Sequence, residues 1–293
     1  MTNLQPRAIP ASSPAGATGT SPETIVLRPR SGWEAIGWGE LWRYRELLWF
    51  LALRDIKVRY KQTALGAAWA ILQPLLTMLV FSVVFGRLAR IPSEGIPYPV
   101  FAYCALLPWQ LFAYALTQSS NSLVTNQRLI TKVYFPRLVV PIASLLCGLL
   151  DFAVAFPVLL GLMLYYGIVP GVAVAALPLL VLLALLTSLA AGLWLSALNA
   201  IYRDVQYALP FLTQFWLFVT PVAYPASLVP ERWRWLFGLN PMAGVVEGFR
   251  WALLGRPHPP GPLVAVSVVS VLALLAGGLF YFRRMEREFA DLV

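Results

Sequence analysis

Charge is distributed along this chain in widely separated blocks, and no other feature constrains its fold more. Residues 62–86 contain no Asp, Glu, Lys or Arg, and neither do 95–127, 138–150, 152–202, 205–230 and 257–282. A soluble domain is about 25% charged, whereas this chain is 12% charged and 59% hydrophobic. A soluble chain of this length must still present a wet exterior. Lipid removes that requirement, so the chain reads as an integral membrane protein.

A spanning helix needs about 20 largely apolar residues. The stretch 138–202, interrupted only by Asp151, holds two, with Gly167, Pro170 and Gly171 supplying the turn between them. The intervals predict an all-α integral membrane fold with six transmembrane helices near 65–86, 98–119, 138–165, 172–199, 206–223 and 263–282. Residues 1–30 are rich in Ala, Ser, Pro, Thr and Gly, without the basic start and apolar core of a secretory signal. They are expected to form a disordered cytoplasmic tail. An interfacial amphipathic segment at 31–64 follows, then the transmembrane domain at 65–282 and a second cytoplasmic tail at 283–293.

An even number of spans puts both termini on one side. Lys57, Lys61 and Lys132, with most of the arginines, flank the spans on that side, which the positive-inside rule assigns to the cytoplasm. Arg232, Arg234, Arg250 and Arg256 in the last outer loop run against the trend. The formal charge of +9 is thus a topology signal, and no nucleic-acid partner is implied.

Three segments outside the spans have shape. In 40–63, Leu41, Tyr44, Leu47, Leu48 and Leu51 recur at helical spacing, and Trp42, Trp49 and Phe50 suit the headgroup region. This predicts an interfacial helix, as an anchor or as a means of admitting a lipid-linked substrate. Residues 121–137 (NSLVTNQRLITKVYFPR) predict a short helix parallel to the membrane, either a connector or an element that docks on a soluble partner. In 224–262, Asn240 caps a helix that Pro241 begins. Met242, Val245, Val246, Phe249 and Leu253 form one face, with Glu247 and Arg250 off it. That helix is too short to span; it is expected to dip into the outer leaflet as a gate or as a packing cap.

No segment reads GxxxxGK followed by Ser or Thr, so the chain shows no phosphate-binding loop of its own. Cys104 and Cys147 lie far apart in apolar stretches and His258 is the sole histidine, which leaves no metal-ligand spacing and no catalytic constellation. Asp151 is the one charge in the middle of a span. It reads either as paired across helices with a hydroxyl, amide or arginine, or as a pore or coupling residue. Aromatics make up 13% of the chain. Trp69, Phe81, Phe85, Tyr103, Trp109, Phe112, Phe215 and Trp216 fall within spans, where they either pack or line a pathway suited to the C–H faces of sugar rings.

Four runs resemble a known family in order: RDIKVRYKQTALGAAWAILQPLLTMLVFSVVFG at 54–86, NQRLITKVYFPRLVVP at 126–141, NAIYRDVQYALPFLTQFWLFVTPVAYP at 199–225 and LNPMAGVVEGFR at 239–250. They are similar to type-2 ABC exporter permeases, in the subgroup that exports O-antigen, capsular and teichoic-acid polymers. The resemblance implies a homodimer in the bacterial inner membrane, two copies of a separate ATPase that holds ATP and Mg, and a lipid-linked glycan as cargo. It implies no catalytic residue, cofactor or metal in this chain. Asn126, Arg128, Lys132 and Tyr134 would couple to the ATPase. Trp42, Arg45, Arg54, Lys57, Arg59 and Tyr60 would lie at the substrate's interfacial entrance. Trp233, Trp235, Asn240, Pro241, Glu247 and Arg250 would form a re-entrant outer gate. The eight aromatics named above would line the pathway. The rival expectations are an exporter of a drug or small lipid on the same fold, and an ATP-independent flippase using Asp151.

Overall fold

A computed structural model describes residues 38–61, 66, 68–255 and 261–286. The tail expected at 1–30, His258, Arg256 and residues 287–293 lie outside the described residues. Among the described residues every regular element is helical: α1 (Trp38–Arg43), α2 (Arg45–Lys61), α3 (Ala68–Phe81), α4 (Tyr98–Thr125), α5 (Gln127–Lys132), α6 (Val139–Tyr165), α7 (Leu177–Ile201), α8 (Val205–Val219), α9 (Glu231–Gly238), α10 (Pro241–Leu254) and α11 (Gly261–Met285). The helix α3 continues as a π-helical turn, Ser82–Leu88, and a 3-10 turn, Val172–Ala176, leads into α7.

Among the described residues five helices are long and apolar enough to cross a membrane: α3 with its π turn, α4, α6, α7 with its 3-10 turn, and α11. The predicted span 206–223 is helical only in part. Its helix, α8, is 15 residues long and ends at Val219, a rise of about 22 Å against a hydrocarbon core of about 30 Å. The stop has a local cause: Pro221 disfavours helical backbone at the residue before it, and Thr220 is extended at φ −90°, ψ 140°.

The helix α4 is the central post. Its residues from Tyr98 to Leu116 are almost all buried, packed against α6, α7 and α10. Closeness between α4 and α7 comes from small side chains: an added Cβ at Gly192 would lie 2.7 Å from Ser119 Cβ. Small residues let membrane helices approach and exchange hydrogen bonds; here Asn199 Nδ2 donates to Ser120 O at 3.1 Å and to Asn121 Oδ1 at 3.0 Å. At 28 residues, α4 is about 42 Å long, more than a bilayer core. The polar stretch 121–125, expected in a loop, is therefore the end of α4, and the short helix predicted over 121–137 shrinks to α5.

Two apolar clusters hold the bundle. The larger joins α4, α6, α7 and α10. The smaller lies at the end where α2 and α5 meet the starts and ends of the long helices, and contains Leu51, Leu123, Ile130, Phe135, Leu138 and Phe282. The predicted stripe of Leu41, Tyr44, Leu47 and Leu48 packs on this smaller cluster. Trp42, Trp49 and Phe50 point outward and are exposed. At the opposite end α10 carries its apolar face as expected, with Met242, Val245, Val246, Phe249 and Leu253 all buried. Glu247 and Arg250, placed off that face by periodicity, are buried too, and they pair with each other.

Candidate functional site

Between α2, α3, α4, α6 and α8 lies a cavity of about 450 Å³. Its lining includes four glutamines (Gln73, Gln110, Gln118, Gln214) and three threonines (Thr77, Thr117, Thr213), with Phe81, Trp109 and Phe152 between them. The threonine hydroxyls donate to backbone carbonyls of their own helices, Thr77 to Gln73, Thr117 to Ala113 and Thr213 to Leu209. They therefore offer the cavity acceptor lone pairs, while each glutamine can both donate and accept. Amides, hydroxyls and aromatic side chains in an open-sided cavity between apolar helices suit a ligand rich in hydroxyl groups and C–H surface.

One ion pair stands at this cavity. Asp151, from the middle of α6, accepts from Arg59 Nη2 at 2.6 Å and from the hydroxyl of Tyr60. The Arg59 guanidinium also lies 4.1 Å from the centre of the Tyr114 ring. Burial, reinforced by the hydrogen bond to Asp151, pushes the Tyr60 phenol from 10 up to about 12. The α2 helix is thus tied to the wall of the cavity by two adjacent side chains. Asp151 is paired with an arginine and also lines the cavity, so the structure gives a footing to both alternatives.

A second tie lies at the end of α4. Arg54 donates from Nη2 to Asp55 and to Asn126 Oδ1, both at 2.7 Å. Asn126, buried at the joint between α4 and α5, donates to Ser122 O at 2.9 Å. Arg128, Lys132 and Tyr134 are exposed, so of the four residues assigned to coupling, three face outward and Asn126 faces the bundle. Among the entrance residues Trp42, Arg45 and Lys57 are exposed, while Arg54, Arg59 and Tyr60 turn inward to the two ties.

At the far end, Arg250 and Glu247 form a buried pair at 2.8 Å. The guanidinium also donates to the carbonyls of Pro221 at 2.7 Å and Val222 at 2.8 Å, and lies 3.6 Å from the Phe101 ring centre. This cluster holds the extended segment that follows α8. Asn240 caps α10 by accepting from Met242 N at 3.1 Å, accepts from Trp216 Nε1 at 2.8 Å and donates to Thr220 Oγ1 at 3.0 Å. Pro241 is buried, whereas Trp233 and Trp235 are exposed.

The predicted aromatic pathway separates into groups. Phe81 and Trp109 line the cavity, and Phe85 packs edge-on to Phe81 with centroids 5.2 Å apart. Tyr103 and Phe112 are fully buried among the chain's own helices, and Trp216 packs edge-on to Phe112 with centroids 4.9 Å apart. Trp69 and Phe215 are exposed on the outside of the bundle. The glutamines were overlooked, although the sequence carried their signal: Gln73, Gln110, Gln118 and Gln214 are amides set in charge-free apolar segments, where each must find a polar partner or a wet cavity.

A bundle of apolar spanning helices around a polar, aromatic-studded cavity defines a multi-pass membrane transport subunit. The model of the ABC-2 type transporter family matches residues 46–254, and the chain belongs to that family. Similar proteins include the O-antigen export system permease protein RfbA of Myxococcus xanthus, 34% identical over 86% of this chain and 97% of that one. RfbA of Klebsiella pneumoniae is 28% identical over 85% of this chain and 95% of its own. The polysialic acid transport protein KpsM of Escherichia coli is 28% identical over 80% and 92%.

Proposed function

We propose that this chain is the membrane subunit of an ATP-driven exporter that carries a lipid-linked polysaccharide across the bacterial cytoplasmic membrane. The observation that carries the reading is the cavity, whose glutamines, threonines, Phe81 and Trp109 suit sugar rings. Membership of the ABC-2 family and the names of the similar proteins support the same class of cargo. Two copies would form the pathway, and two copies of a separate ATPase, holding ATP and Mg, would dock beneath them. The end bearing α2 and α5 would face the cytoplasm, with both termini. The short α8 and the extended residues after it would make the sixth crossing, and α9 with α10 would re-enter from the outer side as the gate. ATP-driven closure of the ATPase pair would push on α5, and the two polar ties would carry that motion to α2 and the cavity wall.

The test is mild extraction from native membranes followed by mass spectrometry of the intact assembly. Two copies of this chain with two of a P-loop ATPase is the expected composition. A chain that purifies alone and transports without ATP would overturn the proposal. Deleting the gene should leave lipid-linked glycan on the cytoplasmic face; unchanged surface glycan would count against a polysaccharide cargo.

A further inference from the structure

We infer that the cavity is selective for an uncharged glycan over a polyanionic one, and that the Asp151–Arg59 pair sets this preference. The inference rests on the exporter reading above and sharpens its substrate class.

Among the described residues that line the cavity, charge is confined to one pair. The segments that build them, 62–86, 95–127, 138–150, 152–202 and 205–230, hold no Asp, Glu, Lys or Arg. The ionisable groups of opposite sign that line the cavity are Arg59, reaching in from α2, and Asp151. They are joined at 2.6 Å, with their side chains 35% and 17% exposed. Asp151 is further held by the Tyr60 hydroxyl, and Arg59 lies over the Tyr114 ring.

A sugar carboxylate entering such a site must exchange bulk water for a partly desolvated wall, which is costly without a countercharge. Arg59 is the cation available, and its charge is already balanced by Asp151. A carboxylate brought to Arg59 therefore also approaches Asp151 and is repelled by it. Hydroxyl groups meet no such obstacle. The amides of Gln73, Gln110, Gln118 and Gln214 can donate to and accept from them, and Phe81, Trp109 and Phe152 add apolar lining for the ring C–H groups. A second copy of the chain would bring the same balanced pair and leave the charge of the pathway unchanged. The two probes named next carry the same polyprenyl diphosphate anchor, so its charge does not blur the comparison.

The experiment uses the full assembly with its ATPase in lipid nanodiscs and two synthetic probes of equal length. Both are polyprenyl-diphosphate-linked; one is built of neutral hexoses and the other carries a uronic acid in every repeat. Stimulation of ATP hydrolysis should favour the neutral probe by roughly tenfold or more, as repulsion of a like charge at close range implies. Asp151→Asn uncovers the Arg59 charge and should reduce that ratio by about the same factor. The double variant Asp151→Asn with Arg59→Gln should restore the neutral preference, which a merely structural role for the pair would not do. Gln110→Lys adds a cation without touching the pair and should also admit the acidic probe, so the idea stays testable if Asp151→Asn folds poorly. Equal stimulation by both probes in the native assembly, or a ratio unmoved by Gln110→Lys, would overturn the selectivity while leaving the exporter intact. No response to either probe would overturn the exporter reading and this inference with it.

Discussion

Arg54 and Asn126 stand 72 residues apart in sequence and share a hydrogen bond of 2.7 Å. Because Asn126 also holds Ser122 O, the bond fixes α2 to the joint between α4 and α5. A hydrogen bond from a charged donor contributes about 1.5–3 kcal/mol, enough to make two short elements move together. Asn126→Ala and Arg54→Ala should each lower glycan exported per ATP hydrolysed, while the ATPase still docks. Parallel assays of export and hydrolysis measure this, and an unchanged ratio would refute the role given to the tie.

The buried pair of Glu247 and Arg250 makes an asymmetric prediction. Arg250→Met removes the cation 2.8 Å from a buried carboxylate and strips donors from the carbonyls of Pro221 and Val222. Glu247→Gln leaves the guanidinium with those carbonyls still in place. Removing one partner of a buried pair costs about 3–5 kcal/mol, and the first change should sit at or above that range while the second falls below it. Thermal unfolding in detergent would order the two variants. The reverse order would mean that the carboxylate, not the arginine, organises the segment after α8.

These two ties mark the limit of what was legible in the sequence. The charge-free intervals disclosed the long helices because the hydrocarbon core tolerates no other composition, and the stripe on 40–63 disclosed the packed face of α2. The end of α8 was missed because the apolar run continues past Thr220, although Pro221 signals the break. Glu247 and Arg250 were placed off the apolar face, but helical periodicity cannot foresee two opposite charges burying each other. Asp151 was recognised as needing a partner. Arg59 could not be named from spacing alone, since 92 residues separate the two.

Tyr60 gives a prediction in pH. Its phenol is held up to about 12 against an ordinary value of 10, so the native state keeps this proton more tightly than the unfolded chain does. The stability it contributes is fully present below pH 10 and is lost as pH rises through 12. Ultraviolet titration of the phenolate band in native protein minus Tyr60→Phe should show a single late-titrating group. A difference spectrum centred at 10 would disprove both the burial of this phenol and its hydrogen bond to Asp151.

Contact between α4 and α7 can be tested with a single methyl group. Alanine at Gly192 would set its Cβ 2.4 Å from Ser119 Oγ and 2.7 Å from Ser119 Cβ, so one backbone must move. Overpacking of this kind costs about 1–3 kcal/mol. Gly192→Ala should lower thermal stability, and adding Ser119→Gly should recover most of the loss. Failure of that rescue would show that the strain lies elsewhere than in this contact.

The exposed charges of α5 lead to the last prediction. Arg128 and Lys132 are four residues apart, on one side of a six-residue helix, and both point away from the bundle. Ile130, between them, is buried in the smaller cluster. The helix is therefore anchored by its apolar side and offers its basic side to whatever lies beneath. Changing both residues to Glu alters that surface by four charges without touching the anchor, so membrane insertion and thermal stability should be preserved. Docking of an ATPase through an acidic surface should weaken by at least about tenfold, since like charges at a rim cost several kcal/mol. The loss should be greatest at low salt, where screening is least. Pull-down of the ATPase across a salt series separates the outcomes. Docking as tight as in the native chain at every salt would show that α5 meets its partner through other groups, with Tyr134, also exposed, the next to replace.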